Sequence, residues 1–191
     1  MNSNFTNLEY AGNLIRKAGN GIKQAEEMLK EYSPVFSNII NLCQQSIELS
    51  GKAIFKLMEI DFPEEHEIKF EVKAVGELLK KKFPKYFTQK EEIPRLIFLT
   101  QFWKNFYLLA KYGAEKLNIG PDQILTKEEA ELALKHAQKC YNVASNLEIF
   151  VRQEKTLEVN FILWSTVLHL LSELTRLKKN RSFIFGLEVG L

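Results

Sequence analysis

The stretch from Ser33 to Ile60, SPVFSNIINLCQQSIELSGKAIFKLMEI, decides the fold. Ser33 followed by Pro34 is a helix start, because a serine hydroxyl can cap free amides and proline loses nothing at the first helical position. From there Phe36, Ile40, Cys43, Ile47, Ile54 and Met58 recur at helical spacing, beside a second stripe of Val35, Ile39, Leu42, Leu49, Ala53 and Leu57. Together they make a wide apolar face, so this helix belongs at the centre of a bundle. Its other side reads Asn41, Gln45, Glu48, Lys52, Lys56 and Glu59, with Glu48 and Lys52 in the favourable i,i+4 order.

The same rhythm extends outward in both directions. Asn7 to Tyr32 carries Leu8, Ala11, Ile15, Ala18, Ile22, Ala25 and Leu29, but Gly12, Gly19 and Gly21 each weaken a helix by about 1 kcal/mol against alanine. A break near Gly19 to Gly21 is expected. Phe62-Pro63 ends the central helix, and a third runs from about Glu65 to Phe83 before Pro84 stops it. A fourth starts near Ile93-Pro94 and reaches about Leu117, with Asn118, Gly120 and Pro121 as stop signals. Thr126 and Glu129 form a capping box for a fifth, whose Ala130, Ala133, Leu134, Ala137, Tyr141, Ala144 and Leu147 mark one close-packing face. A sixth, roughly Glu154 to Lys178, is apolar over most of its girth, with Leu157, Phe161, Trp164, Leu168 and Leu171 beside Leu163, Val167, Leu170, Leu174 and Leu177. The expectation is therefore all-α: an up-and-down antiparallel bundle of five to six helices in one domain over residues 1–191. Water penalises exposure of that sixth helix, so it lies deep in the bundle or supplies a homodimer seam. Leu163, Val167, Leu170 and Leu174, with the apolar tail Phe183, Ile184, Phe185 and Leu187, are the first residues to consider there.

Composition narrows the class. At 191 residues, 46% hydrophobic and 26% charged, the chain suits one globular domain, not a disordered or fibrous one. The longest charge-free apolar stretch, Val159 to Ser172, has 14 residues and is too short to span a bilayer. Twenty-six Lys+Arg against 24 Asp+Glu leave a formal charge of +2, far from that of a protein that coats DNA. Two cysteines and no signal-like opening segment point to a reduced, cytoplasmic setting.

Few residues carry recognisable chemistry. The positions three before His66, His136 and His169 are Pro63, Ala133 and Thr166, so the glutamate-histidine ligand pairs of a di-iron bundle are missing. His136 and Cys140 make at most half a zinc site, completed only if Cys43, His66 or His169 came from other helices. No metal or cofactor is expected. Gly19-Asn20-Gly21 and Gly51-Lys52 lack the further glycines of nucleotide loops. Two basic clusters, Lys80, Lys81, Lys82 and Lys85, and Arg176, Lys178, Lys179 and Arg181, can engage phosphates, although lysine-rich surfaces are ordinary. Phe98, Phe102, Trp103, Phe106 and Tyr107 could stack on bases, but their i,i+4 pairing favours a core-filling role.

The segment Gln44-Gln45-Ser46-Ile47-Glu48-Leu49-Ser50-Gly51-Lys52-Ala53-Ile54, followed by Pro63 and His66, resembles the first core helix and turn of HEPN domains. Lys111-Tyr112-Gly113-Ala114-Glu115, then Gly120-Pro121, then Thr126 through Ala130, Ala133 and Ala137, is similar to the tyrosine-glycine turn and alanine-rich last helix of their archaeal and bacterial branch. The resemblance covers about residues 33–147 and leaves the N-terminal helix (1–32) and the C-terminal helix with its tail (150–191) as additions. It implies an up-and-down helical bundle, commonly dimeric, from a family associated with RNA cleavage, toxin and antitoxin pairs, and small nucleotidyltransferase partners. Its ribonuclease members use an arginine and a histidine separated by four to six residues. Here no histidine stands five to seven positions after Arg16, Arg95, Arg152, Arg176 or Arg181. Lys111 stands where many relatives carry arginine, keeping the charge but losing the bidentate fork. The leading expectation is a non-catalytic, dimeric binding protein that partners a nucleotidyltransferase, RNA or a nucleotide. The alternative is a divergent toxin-type ribonuclease with His66 or His136 as acid or base, and Lys111 as phosphate clamp.

Overall fold

The structure is a computed structural model of the chain and describes residues 7–60 and 87–187, with side chains described through residue 170 and at Ser172. Four α-helices lie within it: α1 (Asn7–Met28), α2 (Phe36–Leu57), α3 (Ile93–Tyr112) and α4 (Lys127–Leu187). Three single-turn 3-10 helices, Lys90–Glu92, Glu115–Leu117 and Pro121–Gln123, fill the connections to α3 and α4. Among the described residues there is no strand, only an isolated bridge between Ala114 and Ile119. The expected helix over 65–83 lies outside the described residues, and so do His66 and Lys80, Lys81, Lys82 and Lys85.

The chain divides into two compact units, residues 1–150 and 151–191. In the first, α2 is central, as its two stripes require: Ile39, Ile40, Cys43, Ile47, Ala53, Ile54 and Leu57 are buried. Contacts across the bundle fix the directions of neighbours. Asn41 meets Ala110 while Gly51 meets Thr100, so α2 and α3 are antiparallel. Gln89 bonds Asn146 and Glu92 bonds Lys139, which sets the chain through α3 against α4 in the same sense. Glu26 accepts from Gln138 Nε2 at 2.6 Å while Gly19 faces Tyr141, so α1 and α4 also run oppositely. The alanines Ala11, Ala18 and Ala25 of α1 and Ala130, Ala133, Ala137 and Ala144 of α4 are all fully buried, the small side chains letting helices approach closely.

Several boundaries differ from the sequence expectation. α1 does not break at Gly19 to Gly21; both glycines are helical. A Cβ on Gly19 would stand 3.1 Å from the Tyr141 ring, and one on Gly21 would stand 2.6 Å from Ser46 Oγ. These glycines are places of close approach, and packing outweighs their weak propensity. α2 begins at Phe36, not at Pro34, and Val35 in the N-cap position makes no side-chain bond. Its free amide is met from afar: Ser37 N–H donates to Asp122 Oδ1 at 3.1 Å, across 85 residues of sequence. The expected fifth and sixth helices are one element, α4, because no glycine or proline stands between Pro121 and Gly186. Its start is as read, since Thr126 N–H donates to Glu129 Oε2 at 2.8 Å.

Residues 151–170 of the second unit expose their apolar side chains. Phe161 is 75% exposed, Trp164 68%, and Leu157, Ile162, Leu163, Leu168 and Leu170 exceed half. No helix of the described residues is long and apolar enough to cross a membrane.

Candidate functional site

The histidine best placed for chemistry is spent on packing. α3 presents Trp103, which is 1% exposed, and α4 presents His136 thirty-three residues later. Trp103 Nε1–H donates to His136 Nδ1 at 3.0 Å, with the ring centroids 6.0 Å apart. An indole can only donate, so Nδ1 carries a lone pair and the neutral imidazole keeps its proton on Nε2. Burial holds the His136 pKa below its usual value, and the positive charges of Arg95, Lys135 and Lys139 lower it further. Lys139 is itself paired with Glu92 at 2.8 Å, and that contact lowers the Glu92 carboxyl pKa. His136 is thus a neutral hydrogen-bond acceptor within electrostatic reach of three basic residues.

Lys111, at the end of α3, is exposed. Its Nζ donates to Tyr107 Oη at 3.2 Å and stands 5.4 and 5.2 Å from the centroids of Tyr107 and Tyr112. Bonds to these two hydroxyls raise its pKa, so it stays charged at neutral pH. The chain then reverses at Gly113, whose φ of 68° and ψ of −152° belong to a region open to glycine alone. A Cβ there would collide with Ile119 O and lie 2.8 Å from Gly120 C. The tyrosine-glycine pair is therefore a structural turn that sets Lys111 above its rings.

A cleft of about 690 Å³ lies between α2 and α3, within the usual range for small-molecule sites. Gln44, Glu48 and Leu49 line it from α2, and Lys104, Asn105, Tyr107 and Leu108 from α3. Gln44 is only 6% exposed; its Nε2 reaches Glu48 Oε2 at 3.4 Å, while its Oε1 has no hydrogen-bond partner. Asn41 Oδ1, one helical turn earlier, is orphaned in the same way. Burying an acceptor without a donor costs free energy, so Gln44 Oε1 and Asn41 Oδ1 are costly groups in this part of α2. Sequence reading missed Gln44 because glutamine on a helix flank carries no signal until its burial is known.

Other residues are scattered. Cys43 and Cys140 are buried thiols whose pKa values burial pushes up to about 12. His169 lies on an exposed stretch of α4. No three His, Cys, Asp or Glu side chains converge among the described residues, so His136 and Cys140 gain no further ligands there. The side chains of Leu174, Arg176, Lys178, Lys179 and Arg181, and those of the tail, lie outside the described residues. The aromatic run only partly fills the core: Trp103 does, but Phe98 is 58% exposed and stacks on Phe102, also exposed, at 6.1 Å. Five aromatics in ten residues cover more of the helix girth than one buried face can take.

Comparison with known proteins agrees with this architecture. The family model of the HEPN domain matches residues 11–147, from the first buried alanine of α1 to the last buried leucine of the first unit. The chain belongs to the HEPN domain family. No curated protein and no solved structure matches it. The HEPN match thus takes in α1, whose glycines dock against α2 and α4, and stops before the apolar stretch of 151–170.

Proposed function

We propose that this HEPN protein binds rather than cleaves: a non-catalytic module, working as a homodimer in the cytoplasm, that takes an RNA end or a nucleotide into the α2–α3 cleft. The observation that carries the reading is the commitment of His136 Nδ1 to Trp103, which leaves Nε2 protonated and unable to accept a proton. The polar lining of Gln44, Gln45, Glu48 and Asn105 supports the cleft as the site, since a base edge carries both donors and acceptors. Tyr107 offers a ring on which a base can stack, and Lys104 and Lys111 supply positive charge for a phosphate. A small nucleotidyltransferase is the protein partner that the family resemblance suggests. Residues 150–191 act in this reading as an addition that serves self-association.

The test is fluorescence anisotropy with a short labelled RNA over a salt series. Tyr107→Ala should weaken binding by roughly 1–3 kcal/mol, a factor of five or more. Lys104→Ala should lower the salt slope by about one. Equal affinity for both variants and the parent rejects the cleft.

A second reading has one observation in its favour. Arg95 on α3 lies close enough to His136 on α4 to lower its pKa, so two helices create in space an arginine-histidine neighbourhood that sequence spacing does not contain. In this divergent ribonuclease, His136 would release its Trp103 bond to work as acid or base, with Arg95 or Lys111 on the phosphate. RNA cleavage abolished by His136→Ala and Arg95→Ala, in protein that remains folded, would establish it. Intact RNA with the parent protein dismisses it.

A further inference from the structure

The α2–α3 cleft contains one group that a phosphate does not call for. Among the described residues that line it, Glu48 is the one acid, set with the amides of Gln44, Gln45 and Asn105, the ring of Tyr107 and the cation Lys104. A carboxylate only accepts hydrogen bonds, and beside a phosphate it would oppose the attraction that Lys104 supplies. In a cleft that takes a nucleotide, its place is therefore against the base.

The carboxylate is also held in one orientation. Lys52 Nζ, one turn further along α2, stands 2.5 Å from Oε1, and Gln44 Nε2, one turn earlier, reaches Oε2 at 3.4 Å. The Glu48 side chain is 23% exposed, so it meets the cleft with most of its water already removed. A carboxylate accepts along about four lone-pair directions, so a neighbour on each oxygen does not stop the group from accepting more.

The bases differ in what they can give it. Guanine alone presents two adjacent donors, N1–H and the 2-amino group, in the parallel arrangement that a carboxylate accepts with both oxygens. Adenine and cytosine each present one amino group beside ring-nitrogen acceptors, and uracil one N–H between two carbonyls. Any of those acceptors set against Glu48 would place lone pair on lone pair. Guanine O6, next to N1–H, needs a donor, and the amides of Gln45 and Asn105 carry N–H groups in the same lining.

We infer that the cleft selects guanine, with Glu48 as the specificity-determining residue that accepts from N1–H and the 2-amino group. The inference rests on the nucleotide reading of the cleft and narrows its ligand to a guanine nucleotide or an RNA end that carries guanine.

Isothermal titration calorimetry of the full chain with GMP, IMP, AMP and UMP at one salt concentration tests this. GMP should bind tighter than AMP or UMP by roughly fivefold to a hundredfold. IMP lacks the 2-amino group and should fall between, a comparison that needs no variant. Glu48→Gln should bring GMP down to the level of AMP while AMP changes little, and Glu48→Asp, which keeps the charge, should retain part of the preference; both should keep the helical circular dichroism of the parent. Equal affinity of the parent for GMP, AMP and UMP overturns the selection of guanine and leaves the cleft reading standing. A guanine preference that Glu48→Gln leaves intact overturns the role of Glu48. No binding of any of the four overturns the guanine site, and the RNA salt series then decides the cleft reading on its own.

Discussion

Replacing His136 by alanine removes the acceptor from a buried indole. Trp103 is 1% exposed, so after His136→Ala its Nε1–H has no water to turn to unless the cavity admits one. An unsatisfied buried donor costs about 1–3 kcal/mol, and loss of the imidazole packing against the indole adds about 1 kcal/mol. The expected loss is therefore about 2–4 kcal/mol in urea unfolding followed by Trp103 fluorescence, with Trp164→Phe in every protein to remove the second indole. Trp103→Phe removes the donor, so adding His136→Ala to it should cost less than His136→Ala alone. The pH dependence follows from the same bond. The folded His136 pKa lies below the unfolded value of about 6.5, so the unfolded chain takes up the proton first. This contribution to stability is present above pH 6.5 and is lost as the pH falls through the folded pKa, a slope that His136→Ala should abolish. A penalty under 0.5 kcal/mol, additive behaviour of the double variant, or an unchanged acid slope would refute the account.

Gly113→Ala should destabilise by at least about 1–3 kcal/mol from the backbone angle alone, and by more because Ile119 O and Gly120 already occupy the space; its melting temperature should fall well below that of Gly120→Ala. Gly120 has φ −68° and only the Gln123 side chain within reach, so that second variant is a mild control. Asp122→Ala should cost about 1 kcal/mol in the same assay by uncapping the Ser37 amide, whereas Ser33→Ala should change little because α2 starts beyond it. Cys43 and Cys140, with pKa values near 12, should resist iodoacetamide at pH 8 in the folded protein and react promptly in denaturant; fast native labelling would contradict their burial.

The helices were legible wherever a local pattern coincided with a local cause. The stripes of α2 are buried much as their spacing implies, although Val35 is exposed because the helix begins one residue later. Thr126 and Glu129 lie within four consecutive residues, a pairing whose chemistry is complete in itself, and Thr126 N–H bonds Glu129. What depended on distant residues was not legible. Whether Gly19 and Gly21 break a helix or admit a neighbour depends on Tyr141 and Ser46. The amide at Ser37 is capped by a carboxylate 85 residues away, and the role of His136 depends on an indole from another helix. Of the candidate site, the sequence displayed the cations but not the cleft, because Gln44 becomes informative only through the absence of a partner for its oxygen.

The two glycines of α1 also act as a key. Gly19 faces one neighbour and Gly21 another, so sliding α1 by a residue or a full turn would bring Ala18, Ile22 or Lys23 to points where a Cβ presses on Tyr141 or Ser46. Bulkier interfaces can repack after such a shift, whereas here Tyr141 and Ser46 would have to move to admit a side chain. The register of the first helix is thereby locked on two sides at once, and an insertion or deletion between Leu14 and Gly19 should disturb the bundle far more than one in the connection that follows Met28.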